Sequence, residues 1–245
     1  MKPSRFFLSI IIPLFNEEKR LAKTFVHLRG FLKTHTFSVE IIFVDDGSKD
    51  NSKFKVQSLK KELENQKVKI KIISYQPNYG KGHAVKQGVL RAKGKWILIV
   101  DADMSIPLST FALFKKYLKI PHVMIVGNRN DASRKNAQQS TTRRFLSRGF
   151  RSLSFFLTQV DATDITCGFK CFERKTAKKL FSQLTIKRWA YDTQLFYLAK
   201  KLYITPTPVP IEWKEDIQTR VNIGSAMIGS LIDLVKIKFS PVDTD

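Results

Sequence analysis

The 245-residue sequence has only two cysteines, Cys167 and Cys171, and its four histidines are scattered along the chain. These counts exclude a disulfide scaffold and leave no spacing typical of a zinc site. We therefore expect both cysteines to be reduced thiols, in a protein of the cytoplasm. No apolar run approaches the ~20 residues that span a bilayer. The short apolar run that ends at Pro13 lacks a signal-peptide cleavage site, so we expect a first strand there and no transmembrane helix.

Acidic residues are scarce as well. The chain has 21 Asp and Glu against 43 Lys and Arg, a formal net charge of +22. Such an excess predicts a polyanionic partner, which can be nucleic acid, an anionic membrane surface or a phosphorylated substrate. A basic nucleic-acid-binding protein is therefore an alternative, but the sequence contains no recognisable nucleic-acid recognition motif. It also lacks G-x-G-x-x-G after the first strand and G-x-x-x-x-G-K-[ST], which removes the main support for dinucleotide-binding and P-loop folds.

What the sequence does contain is a regular alternation of short apolar runs with helical periodicities. The predicted strands are Phe6–Ile12, Val39–Val44, Val68–Ser74, Ile97–Val100 and Val123–Val126. The predicted helices lie between them, and the last covers Leu108–Lys119. This alternation predicts βαβ units and an open, mainly parallel α/β sheet flanked by helices. The hydrophobic content of 43% is sufficient for a sizeable core.

The fourth predicted strand ends in Asp101-Ala102-Asp103. Ligands of open α/β sheets bind outside the carboxyl ends of the strands. Two carboxylates at positions i and i+2 can converge there on a hard divalent cation that also binds substrate phosphates. The alternative is a turn with two solvated acids. Further charged residues follow other strands, namely Glu17, Asp46, Lys81 and Arg129, and this arrangement favours a nucleotide-diphosphate site.

Six motifs occur in an order that resembles a known family. They are Pro13-x-Phe15-Asn16-Glu17, Val44-Asp45-Asp46-Gly47-Ser48, Gly80-Lys81-Gly82, Asp101-Ala102-Asp103, Gly127-Asn128-Arg129 and Cys167-Gly168-Phe169-Lys170. The order resembles that of inverting GT-A glycosyltransferases of family 2, of the polyprenyl-phosphate sugar synthase type. Arg188-Trp189-Ala190-Tyr191-Asp192 is most similar to the dolichyl-phosphate β-glucosyltransferases, and the mannosyl-phosphate synthases are the next nearest group.

The resemblance implies roles for individual residues. It places the nucleoside at Pro13, Phe15, Glu17, Val44 and Asp46, although tyrosine is commoner than phenylalanine at position 15. It places the diphosphate and an Mg²⁺ or Mn²⁺ ion at Asp101, Ala102 and Asp103, with Asp103 as the direct metal ligand. It adds Lys81, Arg129, Lys214 and Arg220 as cations on the donor, and it makes Asp103, Arg129 and Asp192 the catalytic residues.

In family terms, the expected reaction transfers glucose from UDP-glucose to a polyprenyl (dolichyl or undecaprenyl) phosphate with inversion. A GDP-mannose-dependent mannosyltransferase and a glycosyltransferase that acts on a cell-surface polysaccharide are the alternatives. The expected catalytic domain covers residues 1–220, and residues 221–245 form a C-terminal amphipathic helix and tail of the same domain. The residues alone leave two roles open for Asp192. It either orients a sugar hydroxyl or the acceptor, or it is an acid favoured by the dipole at the start of a helix.

Residues 132–160 combine five arginines with seven large apolar residues, most of them aromatic. A basic aromatic helix suits the surface of an anionic membrane, and a core helix with solvated arginines is the alternative. The C-terminal segment from Ile223 to Lys238 is also amphipathic, with core packing and membrane contact equally favoured. We therefore expect a protein bound peripherally to the cytoplasmic face of a membrane.

Overall fold

The computed structural model describes residues 5–129, 154–156, 158, 164–213 and 223–243, with residues 223–228 as backbone only. Within these ranges, seven strands form one sheet in the order β3-β2-β1-β4-β6-β5-β7. Their bounds are β1 Phe6–Leu14, β2 Val39–Asp45, β3 Val68–Ser74, β4 Gly94–Ile99, β5 Met124–Arg129, β6 Lys170–Glu173 and β7 Pro206–Ile211. The five predicted strands are thus confirmed, and the mostly parallel sheet is the predicted fold class.

Two strands of the sheet were not predicted. β6 has only four residues, contains a buried lysine, and runs antiparallel to both β4 and β5. β7 has prolines at positions 206, 208 and 210, and it pairs with β5 at the edge of the sheet. Proline is tolerated on an edge strand because the missing N–H can face away from the ladder. Neither segment has the β-branched run that identifies a strand in a sequence.

The helices lie on the faces of the sheet. Their bounds are α1 Leu21–Thr34, α2 Ser52–Leu63, α3 Lys81–Arg91, α4 Phe111–Phe114, α5 Arg174–Ser182, α6 Tyr191–Lys201 and α7 Ile223–Lys238. The predicted continuous helix over Leu108–Lys119 is wrong in detail, because 3₁₀ turns precede and follow the single α-turn of α4. The buried residues Leu108, Phe111 and Phe114 recur every three positions, which matches the three residues per turn of a 3₁₀-helix.

The core surrounds the three central strands. Ile10 of β1 lies in register with Ile41 of β2 on one side and with Leu98 of β4 on the other, and all three are fully buried. Nearly continuous apolar strands of this kind suit a parallel sheet covered by helices on both faces, and each such side chain contributes roughly 1.5–3 kcal/mol on burial. The register also aligns the carboxyl ends of these strands, so the loops that follow them meet along one edge.

Helix α7 has two different apolar faces. Leu234 and Ile237 are fully buried and belong to the core, and the Tyr197 hydroxyl of α6 donates a hydrogen bond to the carbonyl of Lys238 at 3.3 Å. The outward face exposes Leu231, Ile232, Val235, and, just beyond the helix, Phe239. The segment therefore packs on the core through one face and leaves another apolar face in water. No helix in the described part of the chain is long and apolar enough to cross a membrane.

Candidate active site

The chain makes a tight turn where β4 ends. The N–H of Met104 donates to the Asp101 carbonyl at 3.2 Å, and Met104 has the left-handed φ of 49°. The Ala102 carbonyl accepts a hydrogen bond from the hydroxyl of Thr24 on α1, which fixes the middle of the turn. Both carboxylates of the predicted Asp101-x-Asp103 motif therefore leave the sheet from a rigid backbone at its carboxyl edge.

Asp101 is held between a cation and a glycine. The Lys81 ammonium lies 2.6 Å from Oδ1 of Asp101, and a Cβ added to Gly168 would overlap the other carboxylate oxygen and lie 2.5 Å from Cγ. Burial would raise the pKa of Asp101, but Lys81, with smaller contributions from Lys170 and Arg129, holds this pKa below its ordinary value. Asp101 is therefore an ionised carboxylate with Lys81 on one side and Gly168 on the other.

The donor set fits a magnesium or manganese ion. One oxygen of Asp103 accepts a hydrogen bond from the N–H of Ser105 at 2.8 Å, and among the described residues no hydrogen-bond donor contacts its other oxygen. No third His, Cys, Asp or Glu in the described part of the chain completes a metal-binding group with these carboxylates. This suits Mg²⁺, which commonly binds through one or two carboxylates and takes its other ligands from water and substrate phosphates.

Lys81 reaches Asp101 from the first turn of α3. Gly80 precedes it with a φ of 109°, and a Cβ there would lie 2.8 Å from the Lys187 carbonyl oxygen. A Cβ on Gly82 would lie 2.5 Å from Cβ of Tyr191. The two glycines thus allow the segment before α6 to pack directly against α3. Burial lowers the pKa of Lys81, but nearby carboxylates, with Asp101 the strongest, outweigh burial and raise this pKa above its ordinary value.

Asp46, predicted to bind the nucleoside, is nearly fully buried and supports the loop before Lys81. Its carboxylate accepts hydrogen bonds from Asn78 Nδ2 at 2.7 Å, from the N–H of Tyr79 at 3.0 Å and from the N–H of Gly80 at 2.7 Å. The structure therefore shows a positioning role that the sequence did not reveal. Any contact of Asp46 with a nucleoside would come in addition to these three bonds.

The other predicted nucleoside residues lie at the carboxyl ends of β1 and β2. Pro13 and Val44 are register partners. Phe15 is 44% exposed, so its ring is available for stacking. Glu17 forms an ion pair with Arg20 at 3.3 Å. These residues share an edge of the sheet with Asp46, as the sequence predicted.

Arg129 is held by an acid that the sequence analysis missed. Its Nε and Nη2 donate to the two oxygens of Asp164 at 2.8 and 2.6 Å, and Nη2 also donates to Thr166 Oγ1 at 3.0 Å. The guanidinium lies 5.3 Å from the ring centroid of Trp213. Burial lowers the pKa of Arg129, but the hydrogen bonds and negative charge of Asp164 outweigh burial. The net result is a pKa above the ordinary value of arginine. Arg129 is therefore a fixed planar cation.

A second buried pair joins Lys170 of β6 to Asp192 of α6. Nζ of Lys170 lies 2.7 Å from Oδ1 of Asp192 and donates to the Cys167 carbonyl at 2.6 Å. Asp192 does lie in the first turn of its helix, as predicted, but it is also the counter-ion of a lysine that is 1% exposed. In the sequence, Lys170 stands only as the last residue of Cys167-Gly168-Phe169-Lys170, and that motif is the one signal for its role.

Three ion pairs thus lie together at the carboxyl ends of the strands. They are Lys81–Asp101, Arg129–Asp164 and Lys170–Asp192. Burial raises the pKa of the nearby Cys167 thiol to about 11, so it is not a nucleophile at neutral pH. Lys214, Arg220 and nearly all of the predicted basic aromatic helix over residues 132–160 lie outside the described residues. In this described part of the cluster, Lys81, Arg129 and Lys170 each have a carboxylate partner.

Comparison with known proteins gives a consistent result. The family model for glycosyl transferase family 2 matches residues 9–181. The chain is 35% identical over 251 residues to the dolichyl-phosphate beta-glucosyltransferase of Dictyostelium discoideum, which covers 95% of this chain and 74% of that protein. It is 36% identical over 221 residues to the mouse (Mus musculus) protein of the same name, covering 85% and 67% of the two chains.

Solved structures share the fold. Glucosyl-3-phosphoglycerate synthase from Mycobacterium tuberculosis, in complex with Mn²⁺, UDP-glucose and phosphoglyceric acid, superposes with a TM-score of 0.70 at 15% identity, covering 96% of this chain and 81% of that one. Mannosyl-3-phosphoglycerate synthase from Rubrobacter xylanophilus superposes with a TM-score of 0.71 at 15% identity, covering 94% and 73%. At such identities the likeness establishes the fold, and the GT-A architecture expected from the sequence is confirmed.

Proposed function

Because the chain belongs to glycosyltransferase family 2, we propose that it transfers glucose from UDP-glucose to dolichyl phosphate, with inversion at the anomeric carbon. The observation that carries the proposal is the 31–36% identity, over most of the chain, to relatives that are dolichyl-phosphate β-glucosyltransferases. The charged cluster around Asp101 supports it, since the two carboxylates and three fixed cations suit a nucleotide diphosphate.

Asp101 and Asp103 would hold Mg²⁺ or Mn²⁺, which supplies charge neutralisation for the departing diphosphate. Lys81 and Arg129 add positive charge on the same edge. Of these two cations, Lys81 is in direct contact with Asp101, at 2.6 Å. Arg129 would contribute its charge from a guanidinium that Asp164 already orients through Nε and Nη2.

The acceptor needs little help to become a nucleophile. A phosphate monoester has a second pKa near ~6, so it is largely ionised at neutral pH. Its oxygen attacks the anomeric carbon while the bond from that carbon to the nucleotide diphosphate breaks, and the electron pair leaves with the diphosphate. Since this reaction requires no strong base, Asp192, tied to Lys170 at 2.7 Å, would orient a hydroxyl rather than remove a proton.

We further propose peripheral binding to the cytoplasmic face of an anionic membrane. The outward face of α7 exposes Leu231, Ile232 and Val235, with Phe239 just beyond it, and Lys236 and Lys238 follow on the same turns. Phe155 and Phe156 are also exposed. Exposed apolar residues flanked by cations suit the interface of a bilayer. Each cation near an anionic surface contributes roughly 1 kcal/mol.

The transfer assay uses purified protein, radiolabelled UDP-glucose, dolichyl phosphate and Mg²⁺ or Mn²⁺. We expect a glucosylated lipid that extracts into organic solvent. GDP-mannose, a polysaccharide acceptor and labelled RNA serve as parallel arms. Transfer from GDP-mannose alone, transfer to polysaccharide alone, or tight RNA binding at physiological salt without any sugar transfer would each replace the proposal with the corresponding alternative.

The membrane proposal has its own test. Val235→Ser and Phe239→Ser together should reduce co-sedimentation with anionic vesicles at low salt. Phe54→Ser is the matched control, because Phe54 is a 68% exposed aromatic residue on α2. Equal binding by the wild type and the α7 variant would remove α7 from the membrane contact.

A further inference from the structure

The segment that leads into α6 is fixed from two sides. Gln194 is fully buried, and its side-chain carbonyl accepts hydrogen bonds from the N–H of Thr185 at 2.9 Å and from the N–H of Ile186 at 2.8 Å. The Lys187 carbonyl accepts a hydrogen bond from the N–H of His83 on α3 at 2.9 Å. The backbone of this segment is therefore tied to both α6 and α3.

Trp189 projects from this fixed segment and stays 47% exposed. The Lys81 ammonium lies 5.8 Å from the centroid of its ring. The same ammonium lies 2.6 Å from Oδ1 of Asp101. One cation thus lies between the indole ring and Asp101, one of the two carboxylates proposed to hold the metal and the diphosphate. Single exposed aromatic residues are common on surfaces, but this one borders the charged cluster and sits on a backbone held in place.

We propose that the indole ring of Trp189 forms the apolar wall of the subsite for the hexose of the donor. The inference rests on the proposed function, in which the diphosphate lies at Lys81 and the Asp101-x-Asp103 turn. In a nucleotide sugar the hexose is bonded directly to the second phosphate, so it must lie next to the groups that hold that phosphate. The ring of Trp189 is the large apolar surface that shares Lys81 with that position.

A hexose matches this surface chemically. It presents axial C–H groups on its face and hydroxyl groups around its edge, so an aromatic ring bordered by charged groups can bind both parts. Asp192 follows Trp189 by three residues, in the first turn of α6, so a carboxylate lies on the same segment. A polyprenyl chain would require a continuous apolar surface, whereas the residues before Trp189 are Lys187 and Arg188, both exposed. Because the backbone that carries the ring is held before binding, little ordering of the segment is required.

The test compares the affinity for UDP-glucose with the affinity for UDP, by calorimetry with Mn²⁺ present. In Trp189→Ala we expect UDP affinity within twofold of the wild type and UDP-glucose affinity lower by roughly three- to tenfold, the range of one aromatic contact. Trp189→Phe keeps a ring and should recover most of the loss. Phe54→Ala removes an exposed aromatic residue from α2, outside the cluster, and should change neither affinity.

The UDP arm separates the inference from a folding defect. An equal loss of affinity for UDP and UDP-glucose would overturn it, because the ring would then support the nucleotide or the segment itself. An unchanged ratio with a raised KM for dolichyl phosphate would also overturn it and assign the ring to the acceptor. If the wild type uses a different sugar nucleotide, the proposed function fails instead, and the same ratio is measured with that donor and its own nucleoside diphosphate.

Discussion

Gly168→Ala should displace the Asp101 carboxylate, which we propose binds the metal, without unfolding the protein. Gly168 has no left-handed backbone conformation, so the effect of the new methyl group is spatial. Its Cβ would lie 2.5 Å from Cγ of Asp101, where ordinary contacts begin at 3.4 Å. The carboxyl group must therefore retreat by about 1 Å, and a misplacement of about 1 Å near reacting atoms can cost about 100-fold in rate.

The stability cost should be smaller than the loss of activity. The Asp101 side chain is 34% exposed, so it can swing toward solvent instead of straining the core. We expect a loss near the lower end of the roughly 1–3 kcal/mol that overpacking usually costs. The 2.6 Å contact with Lys81 would break in the process, which removes the charge balance as well as the position.

The assay measures kcat/KM for glucose transfer, beside the thermal midpoint. Gly30→Ala is the matched control, because no atom lies within 4 Å of a Cβ added at that helix position. It should keep full activity and gain up to about 1 kcal/mol of stability. Gly168→Ala combined with Asp101→Asn should be little worse than either change alone, since both act through one carboxylate. Wild-type activity in Gly168→Ala would refute the assigned contact.

Three further predictions concern the same cluster. Lys81→Met removes the charge that holds the pKa of Asp101 below 3.8, so burial should raise this pKa and move the acid limb of the kcat/KM profile to higher pH. In the wild type the stability from this pair is present above pH 3.8 and is lost as the pH falls through the lowered pKa. Asp103→Ala should abolish transfer and Mn²⁺-dependent UDP-glucose binding, whereas Asp101→Asn should retain a trace of activity; unchanged activity in the alanine variant would exclude the metal site. Arg129→Lys and Asp164→Asn should both lower kcat with little change in the KM for UDP-glucose, and wild-type values of both constants would make the pair purely structural.

The sequence predicted the positions of the site residues better than it predicted the contacts between them. Asp101, Asp46 and Lys81 were correctly placed at the sheet edge because each follows an apolar run whose end is visible in the sequence. Their partners were not predictable in the same way. Asp164 lies 35 residues beyond Arg129, in a segment without periodicity. Lys170 sits in a short strand that no residue pattern marks.

The antiparallel strand β6 explains how those partners reach the site. It is inserted between β4 and β5, so the segment that precedes it runs along the edge where β4 and β5 deliver Asp101 and Arg129. Asp164 and Gly168 come from this segment, and Lys170 is the first residue of β6. A purely parallel alternation, which is what the first half of the sequence predicts, would not supply a chain running back through the site.

The charge balance of the site has a consequence for how a donor binds. Every cation near Asp101 already has an acidic partner, at 2.6 to 2.7 Å, so a nucleotide diphosphate meets no free ammonium or guanidinium among the described residues of the cluster. Under the proposed function, a divalent cation bound at Asp101 would share that carboxylate with Lys81, which lies 2.6 Å from Oδ1. The Lys81 ammonium would then be available for a phosphate of the donor, so we expect donor binding to depend on the metal.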